Sequence, residues 1–166
     1  MFESSILGVD PGLAATGLAA VTGRPGDLEI AWAGTVRTPG GLAEPARLLR
    51  LHDAVRTAIR EHRVGAIAVE RVMWGRNVGS AMSVARATGV VLLAAARAGV
   101  EVEEYAPLEV KMAVAGVGNA PKETLRRALA RTHGLRDVPA DPDAADAVAV
   151  AFCHLQQSRL RKAVRA

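Results

Sequence analysis

Aromatic side chains are scarce here: Phe2, Trp32, Trp74, Tyr105 and Phe152 are all that 166 residues contain. So few rings exclude a single-strand-binding platform, which stacks successive bases on aromatic side chains. Cysteine occurs once, at Cys153, so no intramolecular disulfide can form. It lies in an apolar run and reads as a buried structural thiol. Without a cysteine pair, and with no ligand spacing among His52, His62, His133 and His154, a zinc site is not expected. The longest run of small apolar residues, Val90 to Ala96, is too short to span a bilayer, and Arg97 follows it. No basic segment precedes an apolar one at the N-terminus. No signal peptide is therefore expected; the expected location is cytoplasmic, away from any membrane.

What is present is globular and basic. Half of the residues are hydrophobic and 23% are charged. One domain over 1–166 is expected, with a substantial core and a basic tail from about residue 159. The tail carries Arg159, Arg161, Lys162 and Arg165. Lysine and arginine total 21 against 17 acids, a net charge of +4. That balance favours an anionic partner, nucleic acid first.

Three strands are predicted over 5–10, 17–22 and 28–36, joined by short turns into an antiparallel meander. A helix from Pro45 to about His62 follows, with Leu48, Leu51, Val55, Ala58 and Ile59 at helical spacing. Val64 to Glu70 is an apolar strand without alternation, suited to burial on both faces. A long helix over 80–98 is apolar nearly all round, so two of its sides should be covered, one of them by a core or a second subunit. Val100 to Tyr105 is an edge strand, followed by a short helix over 108–114 and a glycine-rich loop over 116–121. Helices over 122–132 and from Pro142 towards Arg161 complete the chain, the last with Asp141 as N-cap.

The organising stretch is Ile6 to Gly17. An apolar strand ends in Asp10, and Pro11-Gly12 turns the chain at once. Two readings of Asp10 stand: a turn cap, or a carboxylate held for function. If the helix over 45–62 is a right-handed crossover, the strand over 64–70 runs parallel to the first and beside it. Glu70 then ends next to Asp10, at the edge where open α/β sheets bind ligands. Asp143 and Asp146 are three apart on the last helix and project to one side. Asp146 sits among Ala, Val and Phe, and such a carboxylate wants a partner. Four acids together would repel one another unless cations neutralised them, and all-oxygen ligands suit Mg²⁺ or Mn²⁺. Without these four the remaining side chains sum to +8, from 21 positive and 13 negative. A basic surface around an acidic pocket suits a phosphodiester substrate and two-metal hydrolysis.

Several stretches resemble the RuvC Holliday-junction resolvases. They are Asp10-Pro11-Gly12 with Thr16-Gly17, Val69-Glu70, and Asp143-Ala144-Ala145-Asp146-Ala147. Tyr105-Ala106-Pro107, Val110-Lys111 and Gly116 to Glu123 continue the resemblance, which runs in order from about Ile6 to Leu155. It implies a ribonuclease-H-like α/β fold with a five-stranded mixed sheet in the order 3-2-1-4-5. It also implies a homodimer that nicks two opposed strands of a four-way DNA junction, in recombination and repair, beside RuvA–RuvB branch-migration partners. It assigns Asp10, Glu70, Asp143 and Asp146 as catalytic ligands of Mg²⁺, two ions per site, with Mn²⁺ also serving. Lys111 and Lys122 become DNA contacts. Where the family carries a wedge aromatic, this sequence has Met73, with Trp74 next. Either could intrude between base steps; the alternative is that both pack on the long helix. Arg76 and Asn77 are candidate phosphate contacts. Two other classes compete. An actin-like or sugar-kinase-like ATPase uses a similar Asp-x-Gly turn but needs a second lobe. A silent junction-binding module would not need four acids.

Overall fold

The computed structural model describes residues 4–24, 26–73 and 78–165, with side chains to residue 158. Strands β1 (Ser5–Asp10), β2 (Ala15–Arg24) and β3 (Asp27–Arg37) form the antiparallel meander. Helix α1 (Glu44–Glu61) leads to β4 (Val64–Glu70), which pairs parallel with β1. Helix α2 (Val78–Ala98) leads to β5 (Glu101–Tyr105), parallel to β4. Helices α3 (Pro107–Ala115), α4 (Lys122–Arg127) and α5 (Pro142–Arg165) follow. The sheet order is β3-β2-β1-β4-β5, as expected.

The sheet separates two cores. Leu7, Val9, Leu18, Ile67 and Val69 pack with Leu51, Val55 and Val91 of α1 and α2. Each such fully buried side chain contributes about 1.5–3 kcal/mol. On the other face, Ala19, Val21, Ala68 and Tyr105 pack with α3, α4 and α5. This double cover explains why β1 and β4 read as unbroken apolar runs.

Two glycines set how closely α5 lies on the sheet. A Cβ at Gly8 would fall 2.0 Å from the Ala147 carbonyl oxygen, and one at Gly17 1.9 Å from that of Asp143. Gly17 is also the cross-strand partner of Asp10. The first turn of α5 therefore rests directly beside the end of β1.

Two expectations need correction. α5 continues to Arg165 instead of ending near Arg161. The stretch after α4 tightens less than an α-helix, closing as a π-helical turn over Ala128–Thr132. Within this chain α2 is covered on one side and leaves its other apolar side exposed, as the subunit-interface reading of that side requires. Ala81, Ala87, Thr88, Val91, Ala94 and Ala95 are buried, while Val78, Met82, Leu92 and Leu93 are exposed. By length and composition alone, α2 is apolar enough to cross a membrane. Arg86 interrupts it, however, and pairs with Glu44 of α1 at 2.7 Å while the opposite face fills the core.

Candidate active site

The turn after β1 is closed without help from Asp10. The Thr16 hydroxyl donates to the Gly12 carbonyl at 2.6 Å and accepts from the Gly12 N–H at 3.2 Å. Thr16 is buried, so this reciprocal pair holds Pro11 and Gly12 in place. Among the described residues nothing donates a hydrogen bond to the Asp10 carboxylate. The turn-cap reading of Asp10 is thus replaced by Thr16, and the acid stands clear.

Asp10 and Glu70 end adjacent parallel strands, one residue beyond the Val9–Val69 pair. Both face a hollow of about 460 Å³, lined also by Lys111, Asn119, Lys122 and Asp146. A second hollow, of about 600 Å³, shares Asp10 and Glu70 and extends past Arg71, Met73, Ser80 and Val84. The acids thus sit at the junction of two compartments, one lined by charges of both signs and one mainly apolar. Met73 is 61% exposed at the rim of this second hollow, across from Ser80, Ala81 and Val84 of α2. Trp74, Arg76 and Asn77 lie outside the described residues.

The electrostatics record the crowding. Burial pushes the Asp10 carboxyl up to about 7, helped by repulsion from Glu70, Asp146 and Asp143 and opposed by Lys122. Burial also raises Glu70, with Asp146 adding to the effect while Lys122 and Lys111 oppose it. Asp146, expected to want a partner, has one: the Lys122 ammonium donates to its Oδ2. That bond raises the Lys122 pKa. The sequence offered no such pair, because 24 residues separate the two positions and α4 must fold against α5.

Asp143 stands at the margin of the group. Arg37 Nη2 lies 4.0 Å from its Oδ2. Among the described residues, no three acidic, imidazole or thiol side chains converge on one point in this conformation. The donor set nevertheless fits a hard divalent cation: it is all oxygen, partly buried, and burial together with repulsion between the acids raises Asp10 and Glu70. Within this hollow the Lys122 ammonium pairs with Asp146, and Lys122 and Lys111 both offset the charge of Glu70.

Three residues were not singled out as site residues by sequence: Asp141, Thr35 and Arg37. Asp141, read there as an N-cap, accepts hydrogen bonds at Oδ1 from the N–H groups of Asp143 and Ala144 at 3.1 and 3.2 Å. It also ties α5 to β3, accepting from Thr35 Oγ1 and Arg37 Nη2, both at 2.6 Å. These bonds hold its carboxyl well below the usual range, the Thr35 bond most of all. The one legible signal was Thr35 and Arg37 sharing a strand face by alternation.

A family model described as "Crossover junction endodeoxyribonuclease RuvC" matches residues 6–154. The chain belongs to the RuvC family. A RuvC from Chloroflexus aurantiacus is 45% identical over 148 residues, covering 89% of this chain and 90% of that protein. One from Syntrophomonas wolfei is 40% identical over 155 residues, covering 93% and 90%. The structure of T. thermophilus RuvC in complex with Holliday junction substrate superposes with a TM-score of 0.88. It is 33% identical and covers 95% of this chain and 96% of that one. The yeast mitochondrial Holliday junction resolvase Ydc2 shares the fold, with a TM-score of 0.66 at 13% identity. With this membership the ATPase alternative falls away, since the RuvC match accounts for nearly the whole chain.

Proposed function

We propose that Asp10, Glu70, Asp143 and Asp146 hold two Mg²⁺ ions with which this RuvC-family endonuclease nicks four-way DNA junctions. The observation that carries the reading is the meeting of Asp10, Glu70 and Asp146, from three separate elements, in one cleft edged by Lys111 and Lys122. Bound there, the ions supply a water of lowered pKa and a counter-charge for the leaving oxygen. The chain's own groups do the rest. Lys111 and Lys122 draw the phosphodiester towards the acids, and Met73 offers an apolar edge to the bases beside it. Mn²⁺ serves in place of Mg²⁺, its ligand preferences being the same.

The test is nicking of a mobile four-way junction beside a linear duplex of the same sequence, with and without Mn²⁺. Metal-dependent cutting of the junction alone is the expected result. Equal cutting of both would overturn junction selectivity, and cutting with metal chelated would overturn the metal. Lys122→Ala should slow single-turnover nicking about a hundredfold, as loss of a donor beside developing charge does. Junction binding, followed by gel shift, should fall far less. An equal fall in both would reduce Lys122 to a DNA contact.

Two coordinated cuts suit a two-fold assembly, and α2 provides its surface. Val78, Met82, Ala85, Gly89, Leu92 and Ala96 are exposed at steps of four and three, the spacing of a helix seam. A second copy packed on this seam makes a homodimer matched to a two-fold substrate. Leu92→Glu should weaken self-association by about a hundredfold or more, measured by sedimentation. Leu49→Glu, on the exposed side of α1, should leave it unchanged. A monomeric parent protein would end this part of the reading. Action beside RuvA–RuvB, and in the cytoplasm, belongs to the same proposal.

A further inference from the structure

Asp141 is bound more heavily than an N-cap requires. Its Oδ1 takes Thr35 Oγ1 at 2.6 Å and two helix N–H groups, and its Oδ2 takes Arg37 Nη2 at 2.6 Å. Thr35 and Arg37 stand on one face at the end of β3, while Asp141 opens α5. The carboxylate is thus fixed from both sides before any cation approaches it. Arg37 is not fixed in the same way. Its side chain is 61% exposed, and the same Nη2 lies 4.0 Å from Asp143 Oδ2. One guanidinium therefore has two carboxylates within reach, and it bonds the one that is not a proposed ligand.

We propose that Asp141 is a positioning residue that holds Arg37 off Asp143, leaving the Asp143 carboxylate to the metal. The inference rests on the reading of Asp143 as a metal ligand. Without the charge of Asp141, Arg37 has Asp143 as its nearest anion, and a guanidinium–carboxylate pair is strong and geometrically defined. The ion would then compete with an internal cation for its own ligand. The effect is carried by rearrangement around the site and not by lost helix stability. Second-shell partners of this kind commonly change metal affinity about 10- to 100-fold.

The variant Asp141→Asn separates the two roles. An asparagine oxygen still accepts from Thr35 and the helix N–H groups, so the cap survives. Its neutral amide no longer retains Arg37. Mn²⁺ binding to the DNA-free protein is followed by calorimetry, alongside the Mn²⁺ dependence of junction nicking. Asp141→Asn should raise the Mn²⁺ dissociation constant about tenfold, and adding Arg37→Ala should recover most of that loss. A merely structural role predicts no recovery, since the double variant lacks still more of the clamp. The proposal is overturned if Asp141→Asn/Arg37→Ala binds Mn²⁺ no better than Asp141→Asn, or if Asp141→Asn binds it as the parent does. Asp143→Asn distinguishes the underlying reading. If that variant binds Mn²⁺ unchanged, Asp143 is not a ligand and both ideas fail; if it binds weakly while Asp141→Asn does not, only the positioning role fails.

Discussion

Asp10→Asn is expected to bind a four-way junction as the parent does and to cut it about a thousandfold more slowly, or worse. The substitution keeps the size of the side chain and removes its charge. No described residue donates a hydrogen bond to this carboxylate, and the turn beside it is held by Thr16. The fold therefore loses nothing that Asp10 was supplying, while the proposed cation site loses one of its four carboxylates. The metal-free protein should even gain stability. The unfolded chain releases the Asp10 proton near 3.8 and the folded chain near 7, so stability drains away as pH rises between those values. Thermal melts of the metal-free parent should fall from pH 5 to pH 8, and those of Asp10→Asn should fall less. Mn²⁺ binds the ionised form, so its affinity should climb as pH passes through about 7. Junction nicking by Asp10→Asn at parental speed in Mg²⁺ would end the assignment. A melting temperature indifferent to pH would remove its electrostatic basis.

Gly17→Ala should be nearly as damaging by a different route. An alanine Cβ would lie 1.9 Å from the Asp143 carbonyl oxygen and 2.5 Å from its carbonyl carbon. These are backbone atoms, so neither can rotate aside. Helix α5 must shift outward at its first turn, which carries Asp143 and leads directly to Asp146 in the second. Overpacking of this kind costs about 1–3 kcal/mol of stability. Displacement of a ligand by about 1 Å costs about a hundredfold in rate. The variant should thus retain most of its fold by circular dichroism while losing far more nicking than its melting temperature explains. Gly40→Ala is the control, because open space surrounds that position in the loop before α1. Equal activity of the two variants would show that α5 has slack against the sheet.

Much of this was readable in the chain. The strand ends at Asp10 and Glu70 were legible because buried parallel strands have no local reason to stop in an acid. The sheet order was implied by the resemblance, and the meander with one crossover helix accounts for β4 running parallel to β1 beside it. Asp141 was legible as a cap because that motif is local. What escaped notice required distant segments to meet. Lys122 looked like surface until α4 folded against Asp146. Arg37 looked like the end of an edge strand until α5 brought Asp141 and Asp143 to it. Thr16 was visible only as part of a motif, since its closure of the turn depends on hydroxyl geometry. The apolar surround of α2 left one point open: composition cannot say which of two greasy sides faces the same chain.

The placement of the acids also governs when the molecule becomes dangerous. Asp10 meets Glu70 only after β1 has paired with a strand some 60 residues downstream, and meets Asp146 only after α5 has docked. Contacts of such long sequence separation form late and slowly. A chain still emerging from the ribosome, or one partly unfolded by heat, holds its carboxylates far apart. Its cutting power therefore vanishes with its tertiary structure, and damaged copies present the genome with an inert basic polypeptide instead of an unguided nuclease.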